Sequence, residues 1–273
     1  MARVTRFAPS PTGPLHLGHA YAAMIAAARG DHFLLRIEDI DTARCKPEWE
    51  TAIYNDLQWL GLRYETPVMR QTSRIPAYGD ALARLTDMGV TYHCTCTRGD
   101  IRAAMSAPQE GVIGPDGPVY PGTCRDRQHS EGALRLNIGK AMQAVGAIHF
   151  TETGTRPGDH IFDSAYMTER VGDIVLARRD IGTSYHLAVV VDDAFQAITE
   201  VTRGEDLFDA TPIHVLLQRL LGLQTPAYHH HRLIRDEQGK RLAKRDDARA
   251  LSKYRAEGLT PADIRRMIGL QNG

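Results

Sequence analysis

The chain of 273 residues lacks a long apolar segment, an export signal and a net charge. No apolar run approaches the roughly 20 residues that a membrane-spanning helix needs, and Met1 leads directly into a strand-like segment. These absences predict a cytoplasmic protein that has no membrane partner. Because 33 Lys/Arg balance 33 Asp/Glu, a surface that binds nucleic acid would need a local excess of positive charge. One lies between residues 229 and 273, where 11 Lys/Arg exceed 6 Asp/Glu.

Cysteine is also scarce, and four cysteines without an export signal argue against a disulfide framework. Three of them, Cys94, Cys96 and Cys124, lie close together in the sequence, whereas Cys45 stands apart. A Cys-x-Cys pair on a strand points both thiols to one face. With a fourth ligand, three thiolates complete a tetrahedral Zn²⁺ site, which here would be structural. Three buried cysteines without a metal are the alternative.

Strand and helix signals alternate along most of the chain. They predict a doubly wound, Rossmann-like α/β fold with a parallel sheet. The segments that carry these signals are Val4–Phe7, Gly18–Arg29, Phe33–Ile37, Pro47–Leu60, a helix capped by Ser73 and ending near Met88, Ala133–Ile138, Ala147–Glu152, Tyr185–Phe195, Gln196–Val201, Thr211–Leu221, His231–Ile234 and Pro261–Ile268 with Thr260 as its cap.

A change of pattern divides the chain into four predicted parts. Glycine and proline become dense after about Val90 and short strand signals replace long helices, which indicates an inserted α+β module that contains the zinc site. The predicted parts are residues 1–89 as the first half of a nucleotide-binding domain, 90–170 as the inserted module, 171–235 as the second half, and 236–273 as a basic loop with a short helical segment.

Two segments carry the chemistry of a phosphate-binding enzyme. In the first, His16 and His19 flank Gly18 at the start of a predicted helix, where backbone N–H groups and imidazoles can donate to phosphate oxygens. The second, about 220 residues later, is the basic run Gly239–Asp246, whose cations repel one another unless an anion holds them. Each segment alone has a simpler explanation. The first could be a stiff loop with surface histidines, and the second could be a run of solvated charges.

Together the two segments resemble the HIGH and KMSKS signatures of the class I aminoacyl-tRNA synthetases. Leu242 and Ala243 depart from the second signature, which has Met and Ser there, while Lys244 is kept. The likeness is greatest to the glutamate-specific branch. The further segments that carry it are Arg6–Gly13, Arg36–Asp41, Val189–Asp193 and Arg203–Asp206.

The resemblance implies activation of L-glutamate by ATP with Mg²⁺, in which the enzyme supplies positioning and positive charge. The implied catalytic residues are His16, His19 and Lys244. ATP would be bound by His16, Gly18, His19, Arg241, Leu242 and Lys244. Glutamate would be bound by Arg6, Phe7, Ala8, Pro9, Ser10, Glu38, Tyr185 and Arg203. The resemblance leaves open which arginine binds which carboxylate.

A histidine or a tyrosine could be the fourth zinc ligand. Ligand softness favours a histidine, His93 or His129. The pattern Cys-x-Cys followed by Tyr-x-x-x-Cys, found in glutamyl-Q tRNA(Asp) synthetases and in some zinc-bearing glutamyl synthetases, implies Tyr120.

The length of the chain bears on the acceptor of the glutamyl group. Only 28 residues follow Arg245, which predicts the absence of an anticodon-binding domain. In its short length and its zinc pattern, the chain resembles the glutamyl-Q tRNA(Asp) synthetase family. This resemblance implies a monomer that attaches glutamate to queuosine in the anticodon stem-loop of tRNA(Asp). The alternatives are a truncated glutamyl synthetase charging the 3′ end of tRNA(Glu), a nucleotidyltransferase without a tRNA substrate, and a non-catalytic zinc-ribbon RNA-binding protein.

Overall fold

The computed structural model describes residues 2–97, 99–101, 112–235 and 249–270. Its strands are β1 (Val4–Phe7), β2 (His32–Ile37), β3 (Glu65–Arg70), β4 (Thr91–Cys94), β5 (Ile113–Gly114), β6 (Gly117–Pro118), β7 (Ala133–Leu136), β8 (Ile148–Glu152), β9 (Gly158–Phe162), β10 (Val175–Ala177), β11 (Glu200–Gly204) and β12 (Ala227–His231). Its α-helices are Leu17–Arg29, Pro47–Trp59, Ile75–Asp87, Ile138–Val145, Ser164–Tyr166, Tyr185–Phe195, Thr211–Leu220, Leu251–Ala256 and Pro261–Met267. Within these ranges, no helix has the length and apolarity to cross a membrane.

Parallel strands form the centre of the fold. β1, β2 and β3 pair in parallel, as do β11, β12 and β8, with β9 antiparallel at the outer edge. The two sheets meet where the Thr199 amide donates to the Val4 carbonyl at 3.1 Å and the Val4 amide donates to Thr199 Oγ1 at 2.9 Å. Helices cover this layer of strands, which confirms the predicted Rossmann-like fold.

Two apolar clusters hold the layers together. One contains Leu136, Phe150 and Leu216 among its buried side chains. The other lies around the first helix and contains Leu35 and Leu57. Burying each of these side chains contributes about 1.5–3 kcal/mol to the free energy of folding, so the sheet and its strand ends are rigidly supported.

Three local expectations differ from the structure. Ser73 does not cap a helix; its hydroxyl donates to the Arg70 carbonyl inside a 3₁₀ turn, and the helix begins at Ile75 with a proline in its first turn. The strand expected at His231–Ile234 lies earlier, at Ala227–His231. The signal at Gln196–Val201 corresponds to β11, which begins at Glu200. At the two strands tertiary pairing overrides a weak local signal, whereas at Ser73 a local hydrogen bond replaces the expected cap.

A small antiparallel sheet, in the order β10, β7, β4, lies beside the parallel strands. Buried Asp173 fixes it: its carboxylate accepts from the Tyr92 hydroxyl at 2.5 Å, from Arg125 Nε at 2.6 Å and from the Ile138 amide at 2.9 Å. Pairing crosses the predicted boundary at residue 170, because β8 joins the parallel strands and β10 joins the small sheet. The boundaries of the inserted module therefore stay a prediction.

Candidate active site

The ends of the parallel strands form the floor of a cavity of about 1070 Å³. Its lining includes Ser10, which follows β1, Glu38, which follows β2, and Tyr185 at the start of a helix. The Glu38 amide donates to the Pro9 carbonyl at 3.1 Å, so the two strand exits are tied together. Ligands in open α/β sheets bind at this position, outside the carboxyl ends of the strands.

Arg6, in β1, is buried and is already paired. Its Nε and one Nη donate to the two carboxylate oxygens of Asp193 at 2.9 and 3.2 Å, and the other Nη donates to the Thr202 carbonyl at 3.2 Å. Arg36, fully buried, also contacts Asp193. Burial alone would raise the pKa of Asp193, but Arg36 and Arg6 outweigh it and hold that pKa below its usual range. Asp193 is therefore the charged centre that positions both arginines.

Arg203 is equally buried but has a different set of partners. Its Nε donates to His230 Nε2 at 3.1 Å, Nη1 contacts His214 Nδ1 at 2.8 Å, and Nη2 donates to Thr211 Oγ1 at 2.6 Å. No carboxylate of the described chain lies within 4.0 Å of it. Because a buried guanidinium without a counter-charge is costly, Arg203 is suited to bind an anion from outside the protein.

Glu38 and Tyr185 line the cavity and interact electrostatically with these arginines. Burial raises the pKa of Glu38 to about 7, although Arg36 and Arg6 pull that pKa down. Burial also raises the pKa of Tyr185; the charge of Arg203 opposes this shift and that of Glu38 adds to it. A carboxyl group and a guanidinium thus both act on the phenol that lines the cavity, which suits the binding of an amino acid that carries both charges.

His16 and His19 cap the Leu17–Arg29 helix reciprocally. His16 Nδ1 accepts from the Gly18 amide at 3.1 Å, and His19 Nδ1 accepts from the His16 amide at 3.2 Å. Their rings lie 3.9 Å apart. Because both Nδ1 atoms are acceptors, each neutral ring carries its proton on Nε2. A Cβ at Gly18 would lie 3.0 Å from the His16 ring, so glycine leaves room for this cap.

The basic run lies outside the described residues, and with it Arg241, Leu242 and Lys244. The chain is described again from Arg249. There Ala250 pairs with His16 in an isolated bridge, and the Leu251 amide donates to the Leu15 carbonyl at 2.8 Å. The segment that follows the basic run is therefore held beside the two histidines.

The remaining predicted glutamate-binding residues lie along the same strand exit. Phe7 and Pro9 are buried, with Phe7 packed in the second apolar cluster, whereas Ala8 and Ser10 are half-buried. Of these four, Ser10 lines the cavity. Phe7 and Pro9 therefore support the strand exit, and Ser10 is the one placed to contact a bound molecule.

The three clustered cysteines converge, with all their sulfur atoms within 4.8 Å of one another. Cys96 Sγ lies 3.5 Å from Cys124 Sγ, and the Tyr120 hydroxyl lies 3.3 Å from Cys94 Sγ and 3.4 Å from Cys96 Sγ. Tetrahedral zinc with Zn–S bonds of about 2.3 Å needs sulfur atoms about 3.8 Å apart. The donor set therefore fits zinc, with the Tyr120 hydroxyl in the place of a fourth ligand.

His93 and His129, favoured by ligand softness, are not part of this cluster among the described residues. Two further features support the cysteine site. A Cβ at Gly132, where φ is 129°, would lie 2.4 Å from the Cys94 carbonyl oxygen, so only glycine allows this approach. Arg135 lies over the Tyr120 ring at 3.9 Å and fixes its orientation.

The groups that surround Arg6 and Arg203 were not among the predicted site residues. Thr211, His214 and His230 contact Arg203, and buried Glu152 contacts His230 Nδ1 at 2.5 Å. The run His229–His231 was the available signal, since consecutive histidines in a strand are unusual. Arg36, which lies within the strand signal Phe33–Ile37, is fully buried beside Asp193.

The family described as tRNA synthetases class I (E and Q), catalytic domain, matches residues 3–272. Among curated proteins, the chain is 61% identical to the glutamyl-Q tRNA(Asp) synthetase of Rhodobacter capsulatus over 98% of this chain and 100% of that protein. It is 41% identical to the protein of the same name from Deinococcus radiodurans, over 95% of this chain and 85% of that protein.

Solved structures give the same fold. The glutamate-tRNA synthetase of Elizabethkingia anophelis superposes with a TM-score of 0.76 at 26% identity, over 98% of this chain and 61% of that one. The present chain thus spans 61% of that longer relative. Methionyl-tRNA synthetase from Mycobacterium tuberculosis, at 10% identity and a TM-score of 0.63, shares the fold alone.

Proposed function

The chain belongs to the family of class I tRNA synthetase catalytic domains of the glutamate and glutamine type, and from this premise we propose that it activates L-glutamate with ATP and transfers it to queuosine in the anticodon of tRNA(Asp). The observation that carries glutamate recognition is Arg203, a buried guanidinium whose described partners are all neutral. The acceptor is supported by relatives named glutamyl-Q tRNA(Asp) synthetase, one of them matched over its full length.

The two arginines have different parts in glutamate binding. Arg203 has the N–H donors to bind one substrate carboxylate, and its charge disfavours the neutral amide of glutamine. Arg6 gives its fork to Asp193, so it contributes positive charge and its remaining N–H groups. Glu38, when ionised, would pair with the substrate ammonium, and Tyr185 and Ser10 would fix the orientation.

Activation needs little chemistry from the protein itself. A carboxylate oxygen of glutamate attacks the α-phosphorus of ATP, the bond to the β-phosphate oxygen breaks, and pyrophosphate leaves. His16 and His19 would donate from Nε2 to the phosphate oxygens as negative charge develops there. Lys244, Arg241 and Leu242 of the basic run would contribute to nucleotide binding. Mg²⁺ bound with ATP would neutralise charge on the phosphate oxygens.

A zinc ion held by Cys94, Cys96, Tyr120 and Cys124 would stabilise the region that borders the cavity. Four protein ligands leave no open coordination position, so the ion would be structural. Both Ser10 and Cys96 line the cavity, which supports the proposal that the zinc-binding region forms part of the cavity wall. Location in the cytoplasm and a monomeric state remain predictions.

Radiolabelled glutamate, ATP and total tRNA test the proposal. We expect glutamate-dependent ATP–pyrophosphate exchange, and label that maps after nuclease digestion to the anticodon of tRNA(Asp) from queuosine-containing cells. tRNA from queuosine-deficient cells should accept none. Label at the 3′ end of tRNA(Glu) would instead favour a shortened glutamyl synthetase, the function that the Elizabethkingia likeness suggests. No exchange at all would favour a non-catalytic RNA-binding protein.

A further inference from the structure

The hydrogen bonds around Arg203 determine where the neighbouring imidazoles carry their protons. A guanidinium can only donate, so the Nε2 of His230 and the Nδ1 of His214 must both be acceptors. Burial lowers the pKa of His214 well below its usual value, and burial also lowers the pKa of His230. Both rings are neutral, and each has its single proton on the nitrogen that faces away from Arg203.

Each outward proton has an acceptor. His230 Nδ1 donates to Glu152 Oε2 at 2.5 Å. Glu152 Oε1 also accepts from the His230 amide at 3.0 Å, so the carboxylate is held in place. His214 Nε2 donates to His186 Nδ1 at 3.0 Å. Two chains of hydrogen bonds therefore run outward from Arg203, and only one of them ends directly on a buried carboxylate.

This arrangement differs from that of Arg6 in one respect. Asp193 touches Arg6 directly and occupies two of its N–H groups. Glu152 instead acts on Arg203 through His230, so that it offsets the buried charge without occupying the guanidinium fork. Arg203 uses three of its five donors on described residues, which leaves one N–H on each Nη atom.

We propose that His214 and His230 are specificity-determining positioning residues, which hold Arg203 with neutral acceptors and thereby keep its charge and its remaining N–H groups for the carboxylate of the substrate. This inference rests on the proposed function, since it assumes that glutamate is the ligand of Arg203. It identifies a feature of the site that the motif residues alone do not contain: the selectivity for an acid depends on two neutral imidazoles.

A pair of isosteric variants tests it. In His214→Asn the amide oxygen can replace Nδ1 and accept from Arg203 without a charge. In His214→Asp a carboxylate of the same shape can pair with Arg203 directly and compete with the substrate. We expect the Asn variant to keep the KM for glutamate within about threefold. The Asp variant should raise it by roughly ten- to a hundredfold, which is the worth of a charge-assisted hydrogen bond. The KM for ATP should be unchanged in both.

Circular dichroism and thermal unfolding establish that each variant folds. If His214→Asp does not fold, the pair His230→Gln and His230→Glu makes the same comparison, because the longer side chains place an oxygen near Nε2. A purely structural role would give the charged and neutral variants the same KM for glutamate, and that result overturns the inference.

The wild-type protein separates this test from the test of function. Calorimetry of the full chain with L-glutamate and with ATP is carried out first. If the wild type binds glutamate and the Asp and Asn variants bind it equally well, only the role of the imidazoles is wrong. If the wild type does not bind glutamate, the proposed function itself fails.

Discussion

Arg6 and Asp193 form a two-point ion pair in the interior of the protein, with N···O distances of 2.9 and 3.2 Å between residues 187 positions apart in the chain. The pair joins β1 to the helix that begins at Tyr185, and Arg36 contacts the same carboxylate. Two neighbouring strands and this helix therefore share one buried charge.

Replacing Asp193 with Asn should destabilise the fold, because buried Arg6 would lose its counter-charge and buried Arg36 would keep only Asp192, at 3.9 Å. We expect the free energy of unfolding to fall by about 3–5 kcal/mol in urea titrations. The control is Asp180→Asn, whose partner Arg178 is half exposed. That change should cost less than about 1 kcal/mol. A loss at Asp193 no larger than the control's would contradict the assigned role.

His16→Asn should separate the structural and chemical roles of this histidine. The Asn oxygen can accept from the Gly18 amide as Nδ1 does, so the helix cap should survive. The Nε2 donor is lost, and ATP–pyrophosphate exchange should fall by about 10²–10³-fold. His16→Ala should lose the cap as well, at a further cost of about 1 kcal/mol of stability. Full exchange by the Asn variant would exclude Nε2 as a phosphate donor.

Metal analysis of the purified chain should find zinc, and Cys96→Ser should remove it. Cys45→Ser is the matched control and should leave the metal content unchanged, since Cys45 is not part of the cluster.

Tyr120→Phe keeps the ring beneath Arg135 but removes the hydroxyl. This variant should release zinc to a weaker chelator than the wild type does. A folded wild-type protein without zinc would refute the site.

Glutamate binding should strengthen as the pH rises through 7. Burial raises the pKa of Glu38 to about 7, and only the ionised carboxylate can pair with the substrate ammonium. Between about pH 6 and pH 8 the ionised fraction rises roughly tenfold, so the Kd for glutamate should fall by a similar factor. Calorimetry across this range measures it, and Glu38→Gln should bind weakly with a flat profile.

The same shift has the opposite effect on stability. The folded protein holds the Glu38 proton more tightly than the unfolded chain does. The contribution of Glu38 to the free energy of unfolding should therefore decrease as the pH rises from about 4.5 to about 7. Unfolding of Glu38→Gln should lack this component. A wild-type profile that matches the variant in both binding and unfolding would mean that Glu38 titrates elsewhere.

Lys244→Ala should reduce glutamate-dependent ATP–pyrophosphate exchange by at least about 10²-fold, because a cation on the transferred phosphate is lost. The unfolding transition should not change. Lys253→Ala, on the exposed face of the helix that begins at Leu251, is the control for loss of a nearby positive charge. Equal exchange rates in the two variants would show that Lys244 has no special role.

The α/β alternation could be predicted because its signals are local. The strand Val4–Phe7 and the helix Tyr185–Phe195 have the predicted bounds, and Thr260 caps the last described helix as expected, with Asp263 completing a capping box. β12 was misplaced because three of its five residues are histidines, whose hydrogen-bond partners include Thr153, Glu152 and Arg203, far away in the chain. No periodicity reports such contacts.

The site was predictable in its motif residues and not in their partners. The family resemblance identified both Arg6 and Arg203 as glutamate-binding residues, but it could not distinguish their roles. The structure distinguishes them by what they touch, a carboxylate for one and imidazoles for the other. These partners lie far away in the chain, so their proximity depends on the completed sheet. The cysteine cluster was easier, because spacing and thiol chemistry alone suggest convergence.

The position of β1 between β2 and β11 has a consequence for how the protein is made. Val4 acquires its second strand neighbour only when Thr199 has been synthesised, 195 residues later. At about 5–20 residues per second, translation leaves one edge of β1 without a partner strand for roughly 10–40 s. An unpaired edge of this kind is open to wrong pairing, so co-translational protection of the early segment should improve the yield of native protein.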